Sequence, residues 1–150
     1  MTAEGAMPKG MVLEHVNMIV KNRDESVDFY TKLLGFKILR KYETDEQRVA
    51  YLYLGEQLLE LNERLEKDEP IGLQHLGIRV EDMDEAMAYF RAQGIEYISG
   101  PVQFQPEIYA TAEVTSEKLV RALKPRGGKS YWRISKFCDP NGVMIELLER

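Results

Sequence analysis

The chain repeats itself after sixty residues, and this repeat limits the possible folds more than any other feature. The matched residues are His15 with His75, Val20 with Val80, Asp24 with Asp84, and Phe29-Tyr30 with Tyr89-Phe90. The chain has two histidines in all, and the repeat places them at equivalent positions. Self-similarity at this spacing predicts two modules of one kind within 150 residues.

Each copy begins with an alternating pattern that is typical of a strand buried on one side. The aliphatic faces are Val16, Met18 and Val20 in the first copy, and Leu76, Ile78 and Val80 in the second. Both histidines belong to the opposite faces. A helical pattern follows in each copy, with Val27, Tyr30 and Leu34 in the first and Met83, Met87 and Phe90 in the second. We expect these apolar stripes to cover the aliphatic faces of the strands.

Three further segments in each copy have the composition of short strands. They are "FKILRKY", "RVAYLYLG" and "QLLELNE" in the first copy, and "IEYI", "YWRISKFC" and "GVMIELLE" in the second. The pattern predicts an α+β fold of two βαβββ modules, one at about 11–66 and one at about 71–150. Residues 1–10 are predicted to be a flexible N-terminal extension. Residues 103–130 form an insertion in the second module, and it either shapes a substrate pocket or is a surface excursion.

The charge balance and the distribution of apolar residues exclude several classes of partner. Twenty basic and twenty-five acidic residues give a formal net charge of −5, without the basic stripe that nucleic-acid binding requires. No apolar run approaches the length of a membrane span, and the opening "MTAEGAMPKG" lacks the pattern of a secretory signal. Cys138 is the one cysteine, so it closes no intramolecular disulfide. We therefore expect a cytoplasmic protein that binds neither nucleic acid nor membrane.

A glutamate between aliphatic residues recurs in the last strand of each module. Glu60 follows Leu59 and precedes Leu61, and Glu146 lies between Ile145 and Leu147. Because successive side chains in a strand point to opposite faces, both glutamates are predicted to point away from the core, on the same face as their module's histidine.

If the first and last strands of each module are neighbours, His15 with Glu60 and His75 with Glu146 converge in one cavity. Two imidazoles and two carboxylates suit Zn, Ni, Co, Fe or Mn. Taken singly, a strand histidine is more often a hydrogen-bonded structural residue and a strand glutamate more often faces solvent. Duplication of a structural pair is therefore the alternative to a four-ligand site.

Several motifs resemble those of the vicinal oxygen chelate superfamily, which contains glyoxalases, bleomycin-resistance proteins and dioxygenases. They are the strand openings "EH" and "QH", the segment "VDFYTKLLGFKIL" and the ending "DPNGVMIELLE". The chain is most similar to glyoxalase I. The resemblance implies paired βαβββ modules that form curved mixed sheets around a metal cavity, and a homodimer.

By this resemblance the metal ligands are His15, Glu60, His75 and Glu146. Glu146 is then the catalytic base, and Glu60 is a second base or a permanent ligand. The implied activity is that of a metal-dependent lyase or isomerase with a small-molecule substrate. It removes a proton next to a carbonyl and stabilises the enediolate on a divalent metal ion.

Two alternatives to a glyoxalase remain open. One is a racemase similar to methylmalonyl-CoA epimerase, and the other is a non-catalytic drug- or ligand-binding protein of the bleomycin-resistance type. Extradiol chemistry is disfavoured because no third histidine is present. The chain has Ile19 where glyoxalase I of bacterial type has a glutathione-binding arginine. Arg79 occupies that register in the second module, either as a substrate-binding residue or as a surface or salt-bridged arginine.

Overall fold

The computed structural model describes residues 5–104 and 131–149, with Phe104 described by its backbone alone. Within these residues the chain forms eight strands, two α-helices and one π-helical turn. The strands are β1 (Val12–Ile19), β2 (Lys37–Glu43), β3 (Gln47–Leu54), β4 (Gln57–Arg64), β5 (Gly72–Val80), β6 (Ser99–Phe104), β7 (Trp132–Cys138) and β8 (Met144–Glu149). The helices are α1 (Arg23–Asp28) and α2 (Met83–Ala92), and the π-helical turn is Phe29–Leu33. No helix in this part of the chain is both long and apolar enough to cross a bilayer.

The described residues divide into two compact units. The first unit holds residues 15–75, and the second holds residues 5–14, 76–104 and 131–149. The α+β class and the order of a βαβββ module in each half are as the sequence predicts. Of the predicted extension, residues 1–4 lie outside the described range, as do residues 105–130 of the predicted insertion. The bounds proposed for the modules, the extension and the insertion stay predictions.

The first unit has the strand order β2-β3-β4-β1. Strands β2, β3 and β4 are antiparallel neighbours, and β1 pairs in parallel with β4. The first and last strands of this module are therefore adjacent, which is the condition that the predicted site requires. One face of the sheet packs with α1 through a buried apolar cluster of Val20, Val27, Ala50, Leu52, Leu59 and Leu61.

The second unit has the strand order β5-β8-β7-β6, with β5 contributing only its residues 76–80, so the first and last strands of the second module are neighbours as well. Its buried apolar cluster is Val80, Met83, Ala86, Met87, Phe137 and Leu147. Strand β6 passes close to β7 at Gly100, which has a φ of 100°. A Cβ at this position would lie 2.5 Å from the carbonyl oxygen of Ile134, so the approach requires glycine.

The predicted strand "IEYI" is wrong, since the strand of that module begins four residues later, at Ser99. Ile95 and Tyr97 instead pack against the apolar cluster of the second unit from the segment that follows α2. Pro101 is tolerated within β6 because this strand lies at the end of the strand order, where a missing backbone N–H breaks no inner ladder.

The first helix also differs from its predicted stripe. Val27 and Tyr30 pack in the core of the first unit, but Leu34 is 48% exposed. The helix widens into a π-helical turn after Asp28, and the hydroxyl of Thr31 donates to the carbonyl oxygen of Val27 at 2.7 Å. The wider turn changes the helical period, so a residue placed by the α-helical spacing rotates out of the core.

Candidate metal centre

Three of the four predicted ligands lie together in the first unit. His15 Nε2 and His75 Nε2 are 3.0 Å apart, and His15 Nε2 is 3.8 Å from Glu60 Oε2. One potential ligand atom from each of the three side chains falls within 4.8 Å of the others. All three residues are buried, with exposed fractions of 5% for His15 and 7% for both Glu60 and His75.

The sheet register explains how His15 and Glu60 meet. In the parallel β1–β4 pair, His15 lies opposite Leu58 and Asn17 lies opposite Glu60. The alternate residues of both strands, among them Leu59 and Leu61, pack into the core with α1. Period two therefore directs the imidazole and the carboxylate to the sheet face that α1 does not cover.

The orientation of His75 favours a lone pair directed into the cluster. Its Nδ1 is in contact with the side-chain oxygen of Gln74, and an amide oxygen accepts hydrogen bonds only. Nδ1 is then the protonated nitrogen of the neutral ring, which leaves the Nε2 of His75 as an acceptor facing His15. Such a contact at the outer nitrogen fixes the tautomer and ring orientation of a metal-ligating histidine.

The three side chains fit a divalent transition-metal ion. Two nitrogens 3.0 Å apart are close enough to bind one ion, since each would lie about 2.1 Å from it. Imidazole and carboxylate ligands suit Zn, Ni, Co, Fe and Mn, and three protein ligands leave coordination positions open. Without an ion, the same geometry allows the Nε2–H of His15 to donate to His75.

The remaining predicted site residues belong to the second unit. Glu146 lies in β8, is 8% exposed, and faces Lys136 across the β7–β8 pair with Oε2 3.8 Å from Nζ. Arg79 is half-buried in β5 and shares the alternation of His75. The three-residue cluster contains neither of them. The fourth-ligand role of Glu146 and the substrate-binding role of Arg79 stay predictions.

An arginine and two tyrosines lie on the same face of the first unit. Tyr51 is the cross-strand neighbour of Glu60, and the guanidinium of Arg40 lies 4.8 Å from the ring centre of Tyr51 and 4.7 Å from that of Tyr42. Burial raises the pKa of Tyr42, and the negative charge of Glu60 raises it further, against the opposing effect of Arg40. Tyr42 therefore keeps its hydroxyl proton at neutral pH.

Two buried asparagines on this face escaped the sequence analysis. Asn17 is 2% exposed and Asn62 is 4% exposed, and the Oδ1 atom of each is buried with no hydrogen-bond partner. Each lies two residues after a predicted ligand, His15 and Glu60 respectively. Side chains two residues apart in a strand project from the same face, so the sequence also predicts that both asparagines lie on the face of the ligands.

Comparison with known proteins agrees with this architecture. The model of the "Glyoxalase/Bleomycin resistance protein/Dioxygenase superfamily" matches residues 12–147. A lactoylglutathione lyase of Escherichia coli O157:H7 is 28% identical over 150 residues, which cover 93% of each chain. A probable chloroplastic lactoylglutathione lyase of Arabidopsis thaliana is 30% identical over 91% of this chain, but the match spans 35% of that relative's length.

Two epimerases are similar as well. A 2-epi-5-epi-valiolone epimerase of Actinomyces sp is 31% identical over 152 residues, which cover 85% of this chain and 80% of the relative. The crystal structure of methylmalonyl-CoA epimerase from Mycobacterium tuberculosis shares the fold with a TM-score of 0.65 and 22% identity, over 91% of this chain and 86% of that chain. The match to the family model extends over nearly the whole described chain. The chain therefore belongs to the glyoxalase/bleomycin resistance protein/dioxygenase superfamily.

Proposed function

We propose that this protein is a metal-dependent lyase or isomerase of glyoxalase I type, which removes a proton from a carbon next to a carbonyl group. The observation that carries the proposal is the buried cluster of His15, Glu60 and His75, whose ligand atoms lie within 4.8 Å of one another. Relatives named as lactoylglutathione lyases, similar over most of this chain, support the assignment.

The two histidines have a defined task in this proposal. His15 and His75 would hold the ion through their Nε2 atoms, and the contact of His75 with Gln74 orients its ring. A bound divalent ion would act as a Lewis acid on the substrate oxygens and favour loss of the neighbouring proton. All three groups are buried, so an ion held by them would be shielded from bulk water.

A carboxylate beside the substrate accepts the proton. Glu60 has this chemistry and lies within the cluster, while the family resemblance assigns the base role to Glu146. In a lyase the carboxylic acid returns the proton to the neighbouring carbon. Substitution of Glu60 and Glu146 one at a time by glutamine, with proton exchange as the readout, identifies which of them is the base. The homodimer and the cytoplasmic location stay predictions.

Epimerisation is the second candidate, and Ile19 is the observation that favours it. This residue is 3% exposed and apolar at the position where glyoxalase I of bacterial type has a glutathione-binding arginine. An epimerase uses the same proton abstraction but returns the proton to the opposite face of the same carbon. The relative from Actinomyces sp that is named as an epimerase supports this candidate.

Metal content tests the proposal against a non-catalytic binding protein. We expect about one equivalent of a transition metal in protein purified without added ions, and much less in His15→Ala and His75→Ala. Glu66→Gln is the control, because Glu66 is exposed in the same unit. Less than about a tenth of an equivalent, unchanged by these substitutions or by reloading, contradicts a metal centre.

Two substrates in deuterated water then distinguish the activities. We expect the metal-loaded protein to convert the methylglyoxal–glutathione hemithioacetal to a lactoyl thioester if it is a lyase. Uptake of deuterium into methylmalonyl-CoA, without thioester formation from the hemithioacetal, would assign it to the epimerases. Activity on neither substrate in fully metal-loaded protein overturns both specific assignments.

A further inference from the structure

The polar face of the first unit extends beyond the three candidate ligands. Asn17 is the cross-strand neighbour of Glu60 on one side, and Tyr51 is its neighbour on the other. Asn62 follows Glu60 by two residues, so it projects from the same face. Neighbouring strands are about 4.8 Å apart and alternate residues about 7 Å apart. Both carboxamides therefore lie within the reach of one small molecule held at the cluster.

The orientation of Asn62 is defined by its neighbours. Its Nδ2 donates to the side-chain oxygen of Gln47 at 3.0 Å, and the same oxygen accepts a hydrogen bond from Arg64. The Oδ1 atom therefore takes no part in the contact with Gln47, and it is buried without a hydrogen-bond partner. The Oδ1 of Asn17 is in the same condition. Two buried acceptors beside Glu60 thus have no donor within the described protein.

These acceptors define the chemistry of a matching ligand. Carbonyl oxygens accept hydrogen bonds, so the ligand must bring O–H or N–H groups, and a carboxylate or phosphate would meet lone pairs and the charge of Glu60. The two guanidinium groups near this face each contact other groups of the protein. Arg64 contacts Gln47 and lies 3.3 Å from Glu69, and Arg40 stacks on Tyr42 and Tyr51. A neutral ligand rich in hydroxyl groups is therefore favoured over an anion.

We propose that the substrate of this protein is a neutral, polyhydroxylated α-hydroxy ketone, two of whose hydroxyl groups donate to Asn17 Oδ1 and Asn62 Oδ1. The inference rests on the proposed function for the reaction at the cluster, but the two hydrogen bonds need no metal. Asn17 and Asn62 are then residues that determine specificity. A hydroxyl group at each position satisfies an oxygen that is otherwise desolvated, so ligands lacking that hydroxyl are discriminated against.

Binding of two related ring ketones tests this inference. The first probe is scyllo-inosose, a cyclohexanone in which each ring carbon except the carbonyl carbon carries a hydroxyl group. The second probe is 2-hydroxycyclohexanone, which retains only the α-hydroxy ketone. Titration calorimetry with the full chain is done on metal-loaded and on chelator-treated protein. We expect the inosose to bind at least about tenfold more tightly in both states, since the lost partners are buried acceptors.

Asn17→Leu is the decisive variant because leucine has a similar volume and no acceptor. We expect it to lose about tenfold of its affinity for the inosose and less than about twofold for hydroxycyclohexanone. Its unfolding midpoint should be equal to or higher than that of the parent, whereas a structural asparagine would lower it. Asn62→Leu should weaken inosose binding in the same way, but it also removes the hydrogen bond from Nδ2 to Gln47, so its unfolding midpoint is not used as a criterion. Gln57→Leu, at an exposed amide on the same strand, is the control.

The outcomes separate this inference from the proposed function. Equal affinity for the two ring ketones, or an inosose preference that survives Asn17→Leu and Asn62→Leu, overturns the assignment even if the protein binds metal and is active. An inosose preference that the leucine variants abolish in chelator-treated protein supports it, even if metal analysis contradicts the metal centre.

Discussion

Replacement of Glu149 by alanine should lower the stability of the second unit, because this carboxylate joins the last strand of the unit to its helix. Glu149 Oε2 accepts a hydrogen bond from the backbone N–H of Met83, the first residue of α2, at 2.6 Å. The first unit has an equivalent hydrogen bond, in which Glu63 Oε2 accepts from the backbone N–H of Arg23, the first residue of α1, at 2.9 Å. In each module the glutamate three residues after the predicted ligand therefore joins the last strand to the helix.

The magnitude follows from the burial of both partners. Glu149 is 5% exposed and Met83 is fully buried, so alanine leaves a helix N-terminal N–H without water or protein to satisfy it. A charge-assisted hydrogen bond contributes about 1.5–3 kcal/mol, and the helix dipole favours a negative charge at this end. We expect a loss of about 3 kcal/mol. The side chain of Glu63 is 14% exposed, so the equivalent loss there should be smaller, about 1–2 kcal/mol.

Equilibrium unfolding in urea measures both losses. Glu149→Gln retains an oxygen acceptor and loses the charge, and we expect it to recover about half of the stability lost in Glu149→Ala. Glu66→Ala, at an exposed position, should change the free energy of unfolding by less than about 0.5 kcal/mol. A Glu149→Ala variant as stable as this control would refute the argument that strand and helix are joined through the carboxylate.

Two further predictions concern the charged groups around α1. Arg23 is 4% exposed, and it donates to Glu43 Oε1 at 2.8 Å and to the carbonyl oxygen of Tyr42 at 3.3 Å. Because its carboxylate partners are exposed, Arg23→Leu should lower the free energy of unfolding in urea by about 1–2 kcal/mol. An unchanged free energy of unfolding would show that the ion pairs and hydrogen bonds of Arg23 stabilise the fold no more than a buried leucine does. The hydrogen bond from Lys41 lowers the pKa of Asp24 in the folded protein. Ionised Asp24 therefore stabilises the fold above its pKa in the unfolded chain, about 3.9, and this contribution is lost as the pH falls. Asp24→Asn should thus be slightly less stable than the parent at pH 7 and equal to it in acid, and a stability difference that does not depend on pH would contradict this.

Predictions from the sequence were most accurate where a local periodicity decided the outcome. Alternation assigned Leu59 and Leu61 to the core and Glu60 to the opposite face, and the helix that begins at Met83 follows its predicted stripe. Periodicity failed at Leu34, because a π-helical turn intervenes, and at "IEYI", because a segment that packs on the core need not be a strand. In both places the backbone geometry, which the apolar pattern does not encode, set the result.

The sequence by itself determined the duplication, the βαβββ order of each copy and the face on which His15, Glu60 and His75 project, because side-chain direction in a strand depends only on parity. Only the tertiary structure decided which strands are neighbours. The parallel pairing of β1 with β4 brings residues 45 positions apart, His15 and Glu60, to 3.8 Å, and it places Asn17 beside the same carboxylate. Strand pairing joins residues that are distant in the chain, and the free energy that selects one register comes from burial of the whole core rather than from any local pattern.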